Sequence, residues 1–226
     1  MQNGEFILDN INNKILQLGL EIDKAIDNKD TNILSNYREK AEEILTNETL
    51  TEDEKAIVYY YIGNIWSSID SLLKGKSDDI WLFNRVEFEK AIVNYRKCIK
   101  LDVSKEIERE VFTKAYTNLG NSFSTAGRAI LAIKYWNKCL NIDPDFVMAL
   151  CNKARGIKEY SGYLYENADR GLLLKKAYKI YKQIFDSGTI PKKSFDFFQS
   201  EFVMLKKSPY QKFFDAEFDF KPFPLG

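Results

Sequence analysis

The stretch TKAYTNLGNSFSTAGRAILAIKYWNKCLNIDPDF, residues 113–146, has the pattern of two helices that pack against each other. Gly120 and Ala132 are small residues at positions where the two helices would cross, and only a small side chain lets two backbones approach closely. Phe123 and Trp136 are placed to fill the space beside that crossing. The pattern therefore predicts a helix hairpin with its own small core.

Residues that favour helix ends stand at the middle and the end of this stretch. Gly127 can adopt the left-handed conformation that often terminates a helix, so it predicts the end of the first helix. Asp143 and Pro144 predict the start of the next helix, with Asp143 as the N-cap and Pro144 at the first helical position.

Two further segments carry the same pattern of small and aromatic positions. The earlier segment has these residues at Gly63, Trp66, Ala91 and Tyr95. The later segment has them at Ala154, Ala177 and Tyr181. Both segments are longer than the quoted stretch. We place the extra length of the first near residues 73–85, as longer helices plus a loop, and that of the second near residues 162–171.

The quoted stretch resembles the tetratricopeptide repeat (TPR) consensus over all of its 34 residues. Eight positions agree in order and spacing, at Leu119, Gly120, Phe123, Gly127, Ala132, Trp136, Cys139 and Pro144. The resemblance implies an all-α fold, namely a TPR-type α-solenoid of antiparallel hairpins with about nine helices. It also implies an interaction module that binds a protein or a peptide.

The hydrophobic periodicity divides the chain into five segments. Residues 1–50 are predicted to form a helix hairpin that is either a degenerate repeat or a cap. Three TPR-like repeats follow, at 51–103, 113–146 and 147–188, and a capping box over Thr51–Glu54 opens the first of them. The last segment, 189–226, is predicted to be a capping helix and an aromatic-rich tail.

The tail has two interpretations. Beyond Lys207 the sequence is rich in aromatic residues and loses any clear period. It either packs on the last helices, or it begins a further domain or docks on a partner, including a second copy of the chain. In the second interpretation we expect the natural protein to continue past Gly226.

Composition disfavours several classes of function. Lys plus Arg and Asp plus Glu each number 33, so no net charge attracts nucleic acid or an anionic membrane. Lysine pairs in the C-terminal third, at 175–176, 192–193 and 206–207, leave an RNA-associated role as the least favoured alternative. No segment has the pattern of a signal peptide or a membrane span, so we expect a soluble, cytoplasmic protein.

The residues needed for most enzyme chemistry are also missing from the sequence. Histidine is absent, which removes the commonest general base and metal ligand. Cys98, Cys139 and Cys151 lack metal-ligand spacing and lie within helical apolar patterns, so we expect them to be buried. We therefore predict no catalytic residue, no metal site, no cofactor and no enzymatic activity for residues 1–226.

The TPR resemblance also implies a binding groove lined by the first helix of each repeat. The family positions that face such a groove are Asn64, Ser67, Thr117, Asn121, Ser124, Arg155, Lys158 and Glu159. Some TPR domains clamp the C-terminal carboxylate of a peptide, and Asn64 and Asn118 of this chain stand at the two asparagine positions of that clamp. Tyr60, Met148 and Asn152 stand where that clamp has basic residues, so only half of it is present.

A narrower resemblance concerns residues 110–226. The run AYTNLGNSFSTAGRAILAIKYWNKCLNIDPDFVMALCNKARGI, the helix KAYKIYKQIF and the terminal FPLG are similar to the TPR segment that precedes a HEPN nuclease-like domain in some bacterial proteins. HEPN catalysis uses an Arg followed by a His, and this chain has no His. The resemblance implies the regulatory or sensing half of a defence or toxin protein. The alternative is a stand-alone adaptor or peptide sensor.

Overall fold

The computed structural model describes residues 13–47, 49–74, 85–187 and 195–206, and these residues form nine helices and no strand. The first four helices are α1 (Asn13–Asn28), α2 (Thr31–Asn47), α3 (Glu52–Lys74) and α4 (Val86–Cys98). Helix α5 combines Lys105–Ile107, a π-helical turn at Glu108–Phe112, and Thr113–Thr125. The others are α6 (Ala129–Ile142), α7 (Val147–Ser161), α8 (Asn167–Ser187) and α9 (Phe195–Lys206). The all-α prediction is confirmed for these residues.

The helices belong to two compact units, Met1–Pro144 and Asp145–Gly226. In the first, hereafter unit 1, helix α3 packs closely on α4 and helix α5 on α6, while α1 and α2 pack on each other and on α3. In the second, unit 2, helix α7 packs on α8 and α9 packs on α8. Successive helices therefore pair as hairpins, as the hydrophobic pattern predicts.

Almost all of the residues assigned to repeat positions are buried. This holds for Gly63, Trp66, Ala91, Tyr95, Gly120, Phe123, Ala132, Trp136, Ala154, Ala177 and Tyr181. The three cysteines are also buried and unpaired with one another, as expected from their helical apolar context. Burial raises the pKa of the Cys139 thiol to about 11 and that of Cys151 to about 12.

Two predicted helix-end signals are confirmed. Thr51 and Glu54 form a reciprocal capping box, with Thr51 N donating to Glu54 Oε2 at 3.0 Å and Glu54 N donating to Thr51 Oγ1 at 3.2 Å. Gly127 has a φ of 71°, and the N–H of Arg128 donates to the carbonyl of Phe123 at 2.8 Å. These are features of the Schellman motif, which satisfies carbonyls left open at a helix end.

The predicted start of α7 is wrong. Asp143 and Pro144 were expected to begin the helix, but α7 begins at Val147 and Pro144 lies in an exposed turn. A residue before proline is kept out of the helical region, and Asp143 is extended, with φ −132° and ψ 96°. Helical hydrogen bonding starts instead at Phe146, whose carbonyl accepts from Leu150 N at 3.1 Å.

Helix α5 begins earlier than the repeat boundary at residue 113 suggests. It starts after Ser104, whose hydroxyl accepts a hydrogen bond from the N–H of Ile107 at 3.3 Å. The π-helical turn at Glu108–Phe112 then precedes the repeat-like part of the helix. Such a turn accommodates one extra residue and shifts the helix face, so a strict 3.6-residue period does not reveal it.

The long connections are mostly helix rather than loop where the structure describes them. In the first, α3 extends to Lys74 and α4 starts at Val86, while residues 75–84 lie outside the described part. In the second, α8 already starts at Asn167, so only residues 162–166 are non-helical. The expected connection at 162–171 is therefore shorter than predicted.

Several predictions fall outside the described residues. They concern residues 1–12 of the first hairpin, residues 189–194 before the capping helix and the aromatic tail beyond residue 206. Among the described helices, none is long and apolar enough to cross a membrane.

Candidate binding groove

Glycine lets an aromatic ring lie directly against a helix backbone in two hairpins of unit 1. A Cβ atom added to Gly63 would lie 2.6 Å from Cδ1 of Tyr95, and one added to Gly120 would lie 2.3 Å from Nε1 of Trp136. Both distances are shorter than real non-bonded contacts of a Cβ atom, so any larger residue at either position would have to displace the ring. These contacts bring the polar atom of each ring next to the residue that follows the glycine.

Asn64, which follows Gly63, accepts two hydrogen bonds at its side-chain oxygen. The donors are the Tyr95 hydroxyl at 2.9 Å and the amide nitrogen of Asn118 at 3.0 Å. The Asn118 nitrogen also lies 3.3 Å from the Tyr95 hydroxyl oxygen, so the three side chains form a closed network. Burial raises the pKa of Tyr95 well above its ordinary value, so its hydroxyl stays protonated and can donate.

Asn121, which follows Gly120, accepts a hydrogen bond from the Trp136 indole Nε1–H at 3.2 Å. An indole N–H can only donate, so it fixes which end of the Asn121 amide is the oxygen. Asn64 and Asn121 therefore have the same task in their two hairpins, because each binds the polar atom of the buried aromatic residue. Both asparagines therefore take part in the packing of their own hairpins.

These amides line an open groove of about 370 Å³, which we call the amide groove. Its walls are formed by α3, α4 and α5, with one residue from α1. The lining residues are Ile26, Asn64, Ser67, Ser68, Asp70, Ser71, Phe88, Ala91, Tyr95, Asn118, Asn121, Ser122 and Thr125. Four of them, namely Asn64, Ser67, Asn118 and Asn121, were predicted from the sequence.

The single charged residue in this lining set, Asp70, is neutralised at one end of the groove. Arg85 lies with its Nε 3.0 Å from Asp70 Oδ1, and its Nη2 donates to the Asp70 carbonyl at 3.0 Å. Both side chains are largely buried. The amide groove therefore has a polar but nearly uncharged surface.

Sequence reasoning missed the groove residues Ser68, Ser71, Ser122 and Thr125. A signal for them exists, because Asn64, Ser67, Ser68 and Ser71 recur at helical spacing on α3. The residues from Asn118 to Thr125 repeat that spacing on α5. A row of small polar residues along one face of a buried helix was the pattern to look for.

Two predicted groove residues of α5 do not belong to the groove. Thr117 is buried, and its hydroxyl donates to the Thr113 carbonyl at 2.7 Å and lies 3.4 Å from Cys139 Sγ. The hydroxyl is thus used inside the α5–α6 hairpin. Ser124 is half-buried and is not part of the groove lining.

The remaining predicted groove residues belong to unit 2. Arg155 and Glu159 form a long ion pair at 3.9 Å, with both side chains about half exposed. Lys158 does not face an open groove, because its ammonium pairs with the buried Glu201 of α9 at 2.6 Å. The short capping helix thus covers a position that the sequence assigned to ligand binding.

The basic residues of a carboxylate clamp are not present in the described groove. Tyr60 is half-buried, Met148 is exposed and Asn152 is half-buried, and none of the residues that line the amide groove is a lysine or an arginine. In the described part of the chain, no cluster of three acidic or cysteine side chains could hold a metal ion.

No protein-family model matches the chain, and no curated protein matches it. The interpretation of the groove therefore depends on its own geometry.

Proposed function

We propose that the chain is a TPR-type helical-repeat protein that binds an extended segment of a partner protein in the amide groove. The observation that carries this proposal is the orientation of the Asn64 amide at the groove. Its oxygen accepts hydrogen bonds from Tyr95 and Asn118, so the groups that it can offer a ligand are amide N–H donors. Such donors suit the carbonyl oxygens of a peptide backbone.

The spacing of the polar residues favours an extended chain as the ligand. On α3 they run from Asn64 to Ser71, and on α5 from Asn118 to Thr125. Seven residues of helix rise about 10 Å, which equals roughly three residues of extended peptide. Hydroxyl groups between the amides can donate or accept, so both polar groups of a peptide unit can be satisfied.

The charge of the groove disfavours two other kinds of ligand. Nucleic acid and a C-terminal carboxylate both need cationic side chains, and the lining set contains none. A small apolar ligand would need a mostly hydrophobic, enclosed cavity. The proposal is therefore an internal peptide segment, bound mainly through its backbone.

An asparagine-to-aspartate exchange tests this proposal. Asn64→Asp keeps an oxygen that can accept from Tyr95 and Asn118, but it removes the N–H donors. Peptides selected from a random unstructured library on the parent chain should bind the variant about tenfold or more weakly, while the melting temperature stays close to that of the parent.

Asn137→Asp is the matched control, because Asn137 is exposed on α6 and outside the amide groove. It should bind the selected peptides like the parent. If the selected peptides bind the Asn64→Asp variant and the parent chain with equal affinity, the Asn64 amide does not contact the ligand. The nuclease-associated context stays a prediction from the sequence, since no described contact bears on it.

A further inference from the structure

A second groove lies on the α2, α3 and α4 helices of unit 1 and has a volume of about 740 Å³. It shares no lining residue with the amide groove. Its aromatic floor consists of Tyr59 and Trp66, and its cationic residues are Arg38, Lys90 and Lys97. We call it the lysine groove.

The cations of the lysine groove are held over aromatic rings. Arg38 and Lys90, from different helices, both lie over the Trp66 ring, at 5.2 and 4.2 Å from its centroid. Lys97 lies 5.3 Å from the centroid of the Tyr59 ring. Two positive charges thus converge on one indole, which is favourable for each cation but brings like charges together.

Neither lysine has a carboxylate partner within the described part of the chain. Arg38 pairs with Glu39 at 2.8 Å, but among the described residues no ion pair involves Lys90 or Lys97. The groove also contains Glu42 and Glu89, so its surface is not uniformly basic. The cations are nevertheless the groups that stand over the aromatic floor, where an incoming carboxylate would be partly shielded from water.

Apolar side chains alternate with these lysines along α4. Val86 is 54% exposed and Val93 is 48% exposed, and they are seven residues apart. Lys90 and Lys97 repeat the same interval. A seven-residue repeat of apolar and charged positions is the pattern by which one helix packs along another, with charges flanking the apolar seam. From Val86 to Lys97 this face is about 16 Å long.

We infer that the lysine groove binds an amphipathic acidic helix of a partner protein. The apolar stripe of that helix packs on Val86 and Val93, and its carboxylates lie against Lys90, Lys97 and Arg38. Charge complementarity selects the acidic partner, and the seven-residue spacing selects a helix over an extended segment. This surface is independent of the peptide proposed for the amide groove.

The test uses a displayed library of helix-forming peptides that share one apolar face and differ in their flanking charges. The library is selected on the parent chain and counter-selected on Lys90→Glu plus Lys97→Glu. We expect the recovered peptides to carry Asp or Glu beside the apolar face and to lose at least about tenfold in affinity for the double variant. A Lys90→Arg variant should keep binding, because the charge over Trp66 remains.

Lys138→Glu is the matched control. Lys138 also lies over aromatic rings, 5.6 Å from those of Tyr116 and Tyr135, but it belongs to the α5–α6 hairpin and not to the lysine groove. Peptides should bind this variant like the parent. The inference is overturned if selection enriches no acidic helix, or if enriched helices bind the parent and the folded double variant equally. Equal losses for Lys138→Glu would also overturn it, since they would report a general charge effect.

Discussion

The hairpins α3–α4 and α5–α6 differ from the hairpin α7–α8 at the place where their helices meet the aromatic residue. In the first two, glycine lies against the ring, and the ring's polar atom is bound by the asparagine that follows. In α7–α8 the corresponding small residue is Ala154 and the ring is Tyr181, and both are fully buried. A methyl group is therefore accommodated in the third hairpin but not in the other two.

The packing of the ring also affects the residue that follows the glycine or alanine in each hairpin. Asn64 and Asn121 are tied to the ring beside them, so their amides face the groove in fixed orientations. Arg155 stands at the corresponding position of α7, but it is about half exposed and lies 3.9 Å from Glu159. The same repeat position can thus produce a neutral, hydrogen-bonding surface or a charged one, and the packing of the ring decides which.

Trp136→Ala should have the largest effect. The indole is fully buried against Gly120, so its removal leaves a cavity and should lower the free energy of unfolding by about 3–5 kcal/mol. Trp136→Phe keeps an aromatic ring but loses the second ring of the indole and the N–H that Asn121 accepts, so its cost should be nearer 1–3 kcal/mol. Urea unfolding of both variants measures the two changes in the free energy of unfolding. If both changes are small and equal, the ring does not hold the hairpin together.

Gly120→Ala and Ala154→Gly separate the two kinds of crossing. The first puts a Cβ 2.3 Å from Trp136 Nε1, so it should cost about 1–3 kcal/mol, and Gly120→Leu should cost more. The second creates no clash and should cost only about 0.5–1 kcal/mol through backbone entropy and lost contacts. The melting temperatures of the three variants measure these costs. If Gly120→Ala and Gly120→Leu both melt close to the parent, the assigned repeat register is wrong.

Tyr95→Phe tests the network of the α3–α4 hairpin. It removes one of the two donors to the Asn64 oxygen without opening a cavity, so it should cost about 0.5–1.5 kcal/mol. The same substitution in an Asn64→Ala background should cost less, because the acceptor is already gone. A double-mutant cycle from chemical denaturation gives the coupling energy. A coupling energy of zero would contradict the hydrogen bond.

The effect of alkaline pH is small near pH 9.0, grows as the pH rises further, and concerns the buried thiols. Burial raises the pKa of Cys139 from its ordinary value of 9.0 to about 11 in the folded protein. The unfolded chain then loses its thiol proton first, so stability is full below pH 9 and decreases between about pH 9 and 11. The free energy of unfolding of Cys139→Ala should fall less steeply over that range than that of the parent. Parallel pH profiles would show that this thiol does not contribute.

Much of the fold was predictable because it depends on local patterns. The helices at 31–47 and 129–142, the capping box at Thr51 and the left-handed Gly127 all follow from helical periodicity and end signals. The start of α7 was wrong because two local signals compete at Asp143. An aspartate favours an N-cap, but a following proline favours an extended backbone there, and the second effect prevailed.

The amide groove was only partly predictable. Repeat spacing located Asn64 and Asn121, but it also selected Thr117, which the structure buries against Cys139. A match to a family position locates a helix face only to within about one residue. Successive residues of a helix point in directions about 100° apart, so an error of one residue can exchange a groove position for a core position. The capping contact of Lys158 with Glu201 joins residues 43 positions apart, so no local pattern could reveal it.

The sequence by itself determined the helical class, the pairing of neighbouring helices and the small and aromatic positions, because each depends on residue size and period over a few turns. Only the tertiary structure decided what the polar side chains do. Whether an asparagine faces a ligand, binds a buried ring or does both depends on which atoms lie within hydrogen-bond distance of it, and those atoms come from other helices. Hydrogen bonds of that kind are short and directional, so a shift of one residue in helix packing would remake the whole surface.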